Sequence, residues 1–222
     1  MLEALIFDFD GTLLDTETAE FEAYRELYVR EGLTLSLDSW QQGVGTWDGF
    51  DPWEPFGHYS DPERALLKQT LRQGLWSRLE ALEPREGVLG LLDEAFHRGI
   101  RVAIASASDR DWIERWGNRH GLLKHVEVLV SRDHVDRVKP DPEAYQLALR
   151  WLGVHSKSVL AIEDSLHGYC AATAAGLPCL VFLNPVTQGM AFPPDAHVCE
   201  TLNMGLEVLV GIHACQSKFS LE

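Results

Sequence analysis

Ala4-Leu5-Ile6-Phe7 runs straight into Asp8-Phe9-Asp10-Gly11-Thr12, and this junction constrains the fold more than any other feature of the chain. Four apolar or small residues in succession predict a strand buried on both faces, as in a parallel sheet. Side chains alternate along a strand, so Asp8 and Asp10 are expected to start on one side while Phe9 points away into packing. Two carboxylates at the end of a buried strand raise each other's pKa, and desolvation penalises both. A cation or a shared proton relieves that cost. Gly11 permits a sharp turn, and Thr12 adds a hydroxyl and an N–H where open α/β sheets bind ligands, beyond the carboxyl ends of their strands. Taken alone, the same residues also read as a strand ending in an acidic turn.

The segment that follows is helical in pattern. Thr16 to Glu31 carries Ala19, Phe21, Ala23, Tyr24, Leu27, Tyr28 and Val29 at helical spacing and stops at Gly32. Ser36 to Tyr59, rich in Gly, Pro and Trp, reads as loops and short turns. Its tryptophans are expected mainly to pack small helices together. Ser60-Asp61-Pro62-Glu63 is a capping box with Pro in the first turn, and leucines from Leu66 to Leu82 keep one face apolar until Pro84. Residues 16–84 are therefore expected to form an all-helical block, far longer than one crossover connection needs.

From Gly87 onward helices and strands alternate. Expected helices are Val88–His97, Asp109 (as cap) to His120, one opened by Asp141-Pro142-Glu143 with Asp141 as cap, and Leu166–Ala175. Expected strands are Ile100–Ala105, Val126–Val130, Ser158–Ile162 and Cys179–Leu183. Asn184-Pro185 is a turn. This alternation predicts an α/β fold, a doubly wound parallel sheet built from residues 1–15 and 85–222, with the helical block as an inserted domain.

Composition narrows the function classes. A formal net charge of −15 disfavours nucleic acid and anionic membranes as partners. No apolar run is long enough to span a bilayer, and the amino terminus has no basic segment followed by a hydrophobic one, so a cytoplasmic location is expected. The four cysteines, Cys170, Cys179, Cys199 and Cys215, have no C-x-x-C spacing and are expected to be reduced and mostly buried. No H-x-x-x-H pair occurs among the nine histidines, which argues against a zinc hydrolase.

Three predicted strands end in polar groups, and right-handed crossovers bring such ends to one edge of a sheet. Asp8, Glu163 and Asp164 offer hard oxygen ligands of the sort Mg2+ takes. Lys139, before Pro140-Asp141-Pro142, can reach the same place, and Ser106 with the N–H of Ala107 can donate to a phosphate oxygen. A carboxylate nucleophile attacking a phosphate monoester needs such compensation, because anion would otherwise repel anion. Each group alone has a plainer role, as a surface lysine, a helix cap or a strand-end serine; their order along the chain favours one site.

Asp8-Phe9-Asp10-Gly11-Thr12, Ser106 within Ile104-Ala105-Ser106-Ala107-Ser108, Lys139-Pro140-Asp141-Pro142 and Glu163-Asp164-Ser165 resemble the four motifs of the haloacid dehalogenase-like superfamily. The helical insert resembles the cap of its phosphoglycolate phosphatase-like and β-phosphoglucomutase-like branch. The resemblance implies Asp8 as nucleophile, Asp10 as general acid and base, and Ser106, Ala107 and Lys139 as phosphate-binding groups. It also implies Mg2+ on Asp8, the backbone oxygen of Asp10, Asp164 and Glu163, the last directly or through water. A dehalogenase of this superfamily would not need Asp10 or the metal cluster.

The start of the first cap helix, Glu17-Thr18-Ala19-Glu20, lacks the histidine that sugar phosphomutases of this kind carry there. The loop Gly43 to Asp48 offers no Arg or Lys. A Mg2+-dependent phosphatase acting on a small phosphorylated metabolite is therefore expected, with Gly45, Thr46 and Trp47 facing the substrate. A sugar phosphomutase is the first alternative, and a non-catalytic binding module on the same fold the second.

Overall fold

A computed structural model of the chain describes residues 1–46 and 49–219. Its centre is β1 (Ala4–Phe7), all four residues of which are buried. On either side lie β2 (Arg101–Ala105) and β4 (Val159–Glu163), both parallel to it, with Phe7 level with Ile104 on one and Ile162 on the other. With β3 (Val126–Val130), β5 (Cys179–Phe182) and β6 (His197–Cys199) they form a six-stranded sheet in the order β3-β2-β1-β4-β5-β6, every pair parallel. The strand order reverses at β1, which puts its carboxyl end at the topological switch point.

Alternation along the strands sorts the core into two layers. Leu5, Phe7, Val102, Ile104, Leu160 and Ile162 face α4 (Val88–His97), α5 (Arg110–Arg119) and α8 (Leu206–Phe219), meeting Leu91, Leu92, Ile113, Trp116 and Leu209. The other face is built of smaller side chains, Ala4, Ala103, Ala105 and Ala161 around Ile6. These pack with Tyr145 and Ala148 of α6 (Glu143–Leu152) and with Ala171 and Ala172 of α7 (Leu166–Ala174). Between β1 and α4 come α1 (Thr16–Arg30), α2 (Leu37–Gln41) and α3 (Asp61–Ala81). This helical block has its own apolar cluster, in which Leu27, Tyr28, Trp40, Val44 and Phe56 meet Val186 of the sheet domain. The Glu63 carboxylate accepts from the Ser60 N–H at 2.8 Å, as the capping box predicts, and also from the Ser60 hydroxyl at 2.6 Å.

Several expectations need correction. Helix α6 begins at Glu143 with Pro142 at the cap position, and Asp141 bonds one residue further in, its carboxylate accepting from the Glu143 N–H at 3.1 Å. Strand β6 and helix α8 have no counterpart in the sequence reading, because His197-Val198-Cys199 is too short and mixed in polarity to announce a strand. The four thiols are free, but only Cys179 is buried; Cys170 and Cys215 are exposed.

Candidate active site

The register of β1 against β4 carries on for one residue, the Asp8 N–H donating to the Ile162 carbonyl at 2.9 Å. Asp8 is thereby brought level with Glu163. Lys139, reached through the β3–α6 connection, is 1 % exposed; its ammonium lies 2.5 Å from Asp8 Oδ1 and 2.6 Å from Glu163 Oε1. The Tyr145 hydroxyl donates to that same Glu163 oxygen. One ligand oxygen from each of Asp8, Glu163 and Asp164 lies within 4.8 Å of the others.

Burial drives the electrostatics here. It pushes the Asp8 carboxyl up to about 8 against the pull of Lys139, with Glu163 and Asp10 adding to the rise. Burial also raises Asp164 well above the usual carboxylate range, and the charges of Asp8 and Glu163 raise it further. Burial works against the charged form of Lys139, but Asp8 and Glu163 outweigh it and hold the ammonium protonated. Asp8 and Glu163 thus share one ammonium, with the Asp164 carboxylate beside them, and Glu163 Oε2 is buried with no hydrogen-bond partner among the described residues. A hard divalent cation suits this donor set, since it would relieve the excess negative charge and give the orphaned oxygen a ligand role.

Gly11 makes the turn beyond Asp10 with φ at +73°, and a Cβ there would fall 2.1 Å from Asp164 Oδ2. Asp164 is held by Asn184, whose side-chain amide donates to Oδ2 at 2.7 Å and to the Gly11 carbonyl at 3.2 Å. The Asp10 carboxylate does not follow Asp8 to the cluster as simple alternation predicts, because the chain leaves the sheet before the Gly11 turn. It instead accepts from Thr16 Oγ1 at 2.7 Å, Ser108 Oγ at 2.6 Å and Trp112 Nε1 at 2.8 Å. Of the ligand set implied for Mg2+, the atom that Asp10 would offer is therefore its backbone oxygen.

A cavity of about 480 Å3 opens between the sheet edge and the helical block, with Asp8, Asp10, Ser106 and Ala107 on its floor. Ser106 is 2 % exposed; its N–H is taken by the Val130 carbonyl, and its hydroxyl accepts from the Ser108 N–H at 3.0 Å. A model described as haloacid dehalogenase-like hydrolase matches residues 5–182, which include all of these floor residues. The chain belongs to the haloacid dehalogenase-like hydrolases.

Within that family it falls with the phosphatases. It is 38% identical over 206 residues to phosphatase YhcW of Bacillus subtilis, covering 91% of this chain and 93% of that one. Over 179 residues it is 34% identical to the phosphorylated carbohydrates phosphatase of Thermotoga maritima, covering 79% and 82%. The solved structure of CbbY from Rhodobacter sphaeroides in complex with phosphate superimposes with a TM-score of 0.75 at 27% identity, covering 95% of this chain and 100% of that one.

Of the loop residues singled out in this hydrolase, Gly45 and Thr46 line the cavity, while Trp47 lies outside the described residues. Gly45 has φ at +77° and packs on the start of α7, where its missing Cβ would stand 2.2 Å from Ser165 Oγ. The same loop is tied down by His167 Nδ1, which donates to the Val44 carbonyl at 2.9 Å. Thr46 Oγ1 is buried with no partner among the described residues.

Sequence reasoning missed Trp112, Tyr145 and Asn184, which meet their carboxylates only through the tertiary fold, and Thr16, which lies six residues beyond Asp10. It also missed four charged residues on the cavity wall: Glu17 and Glu20 of α1, and Lys68 and Arg72 of α3. Burial raises Glu17 well above its ordinary value, helped by Asp164, and raises Glu20 to about 8, helped by Asp10. The spacing of Lys68 and Arg72, one helical turn apart, was the available signal.

Proposed function

We propose that the chain is a Mg2+-dependent, cytoplasmic phosphatase that hydrolyses a small phosphorylated metabolite, of sugar-phosphate size, through an aspartyl-phosphate on Asp8. The observation that carries this reading is the buried Asp8 carboxylate, paired with Lys139 and grouped with Glu163 and Asp164 at the floor of a cavity. Mg2+ would be held by Asp8, Asp164, Glu163 and the backbone oxygen of Asp10, and would supply positive charge against the phosphoryl oxygens.

The chain's own groups account for the remaining chemistry. An Asp8 oxygen forms a bond to phosphorus as the bond to the leaving oxygen breaks, and Asp10 gives that oxygen its proton. Asp10 then takes a proton from the water that attacks phosphorus, which breaks the bond to Asp8 and frees inorganic phosphate. Lys139 offsets the charge on Asp8, and the Ser106 hydroxyl with the Ala107 N–H would receive the phosphate oxygens. Residues 16–84 act as a cap over this floor, with Gly45 and Thr46 at the leaving group. The likeness to a phosphatase of phosphorylated carbohydrates, and to a CbbY that holds phosphate, favours a substrate of this kind.

One observation favours a second reading, a sugar phosphomutase. Lys68 and Arg72 bring cationic groups to the cavity from α3, where a second anionic group could be held. Release of phosphate from a panel of small phosphomonoesters, with and without Mg2+, separates the readings. Metal-dependent hydrolysis abolished by Asp8→Asn is the expected result. Isomerisation of a sugar phosphate with negligible hydrolysis would favour the mutase, and no turnover of any kind would favour a binding module.

A further inference from the structure

We propose that Trp112 is a positioning residue for this reaction: its indole N–H, with the Ser108 hydroxyl, fixes the Asp10 carboxylate at the cavity floor from the sheet-domain side. The proposal rests on the reading of Asp10 as the acid that protonates the leaving group. Trp112 Nε1 and Thr16 Oγ1 both donate to Asp10 Oδ1, at 2.8 and 2.7 Å, while Ser108 Oγ donates to Oδ2 at 2.6 Å. Donors on opposite oxygens fix the plane of the carboxylate as well as its place.

The three donors differ in kind. Serine and threonine hydroxyls rotate and can accept as well as donate, whereas an indole N–H only donates and points along one direction set by its ring. They also differ in what carries them. Thr16 opens α1 and belongs to the helical block, but Ser108 and Trp112 belong to the sheet domain that holds Asp8.

The indole itself is braced. Trp112 lies in the first turn of α5, where its N–H donates to the Asp109 cap at 2.9 Å. Its ring meets the edge of Trp116 at 5.9 Å, and Trp116, 2 % exposed, meets Trp76 of α3 at 6.4 Å. A misplacement of about 1 Å in a reacting group costs on the order of a hundredfold in rate, so a rigid donor on Asp10 bears directly on proton transfer. A purely structural tryptophan would fill space beside α3 with no such consequence.

The two roles separate by leaving-group dependence. The ratio kcat/KM reports the step in which the leaving oxygen departs, and p-nitrophenolate needs far less help from an acid than phenolate does. With Mg2+ present, Trp112→Phe is expected to lower kcat/KM for phenyl phosphate about tenfold and for p-nitrophenyl phosphate less than about threefold. Asp10→Asn should steepen the same dependence further.

Equal losses on both esters in Trp112→Phe, with a steepened dependence in Asp10→Asn, would overturn the role of Trp112 and leave the acid reading standing. No steepening in Asp10→Asn would remove the acid reading and this proposal with it. If Trp112→Phe does not fold, the indole 1H–15N resonance of Trp112 in the otherwise native chain serves instead. It is expected to move upfield in Asp10→Ala, and an unmoved resonance would refute the contact.

Discussion

Arg85 Nη1 stands 2.5 Å from the carbonyl oxygen of Gly11, so the first residues after the helical block grip the turn that follows Asp10. The same guanidinium donates to the Phe182 carbonyl at 2.9 Å and to Leu183, and lies 3.3 Å from the centre of the Phe182 ring. One side chain thus ties the Gly11 turn to the end of β5. Arg85→Ala leaves three carbonyls without this donor and is expected to cost about 3 kcal/mol in denaturant unfolding. Arg85→Lys should recover only part of it, since a single ammonium cannot reproduce the planar fork.

How much of this was legible beforehand depended on how local each signal was. Ala4–Phe7, Val126–Val130 and Val88–His97 have the bounds expected of them, because an apolar run, interrupted in Val126–Val130 only by Glu127, or a glycine stop is written into adjacent residues. Asp8, Lys139, Glu163 and Asp164 converge because each ends a strand or precedes a helix in a pattern that the chain order reveals. Trp112 meets Asp10 across 102 positions and Asn184 meets Asp164 across 20, and nothing adjacent to either residue announces its partner. The one-turn spacing of Lys68 and Arg72 puts both on one face of α3, but that face alone reads as an ordinary solvated one, and packing is what turns it toward the cavity.

Lys139→Met removes the ammonium shared by two buried carboxylates. Leaving Asp8 and Glu163 uncompensated is expected to destabilise the metal-free protein by about 3–5 kcal/mol at pH 8, and to abolish hydrolysis. Lys139 holds the Asp8 carboxyl down to about 8, so without it Asp8 keeps its proton to higher pH, and the loss should grow as pH rises above about 8. Unfolding free energies of the two chains at pH 9.5 and pH 6 check it; an equal loss at both would mean that the charge pairing with Asp8 is not the cause.

Magnesium should stabilise more at high pH than at low. The Asp8 carboxyl is raised to about 8 in the folded chain from an ordinary 3.8, so the folded state binds the proton more tightly than the unfolded one. Without metal, stability therefore falls as pH rises through the interval between those values. A divalent ion competes with that proton and reverses the trend, contributing about 2.7 kcal/mol at a hundred times its Kd. The rise in melting temperature on adding Mg2+ is expected to be larger at pH 8.5 than at pH 5.5, and absent in Asp164→Asn.

Glu20 offers a pH test away from the metal ligands. Burial, then the charge of Asp10, raises its carboxyl to about 8 from 4.5, so ionising it in the folded state opposes folding above pH 4.5. Glu20→Gln keeps the size and removes the charge. Allowing for water in the cavity that Glu20 lines, the variant should be more stable than the parent by about 1 kcal/mol at pH 8.5 and equal to it at pH 4. A difference that does not change with pH would assign the effect to packing instead.

Gly45 decides whether the helical block can rest on the sheet domain as it does in this structure. With φ at +77° an alanine there is strained on its own account, and its Cβ would stand 2.2 Å from Ser165 Oγ and 2.9 Å from Ser165 Cβ. The loop must lift, which breaks the bond from His167 to the Val44 carbonyl and draws Thr46 away from the cavity. The sheet and the Asp8 cluster lie outside that movement, so the chemistry on the floor should persist. Gly45→Ala is accordingly expected to raise KM for a sugar phosphate about tenfold, while kcat/KM for p-nitrophenyl phosphate, whose flat leaving group asks less of the cap, falls less than about threefold. Equal losses on both substrates would mean that the loop supports the floor rather than the leaving group, and the assignment of Thr46 to substrate contact would go with it.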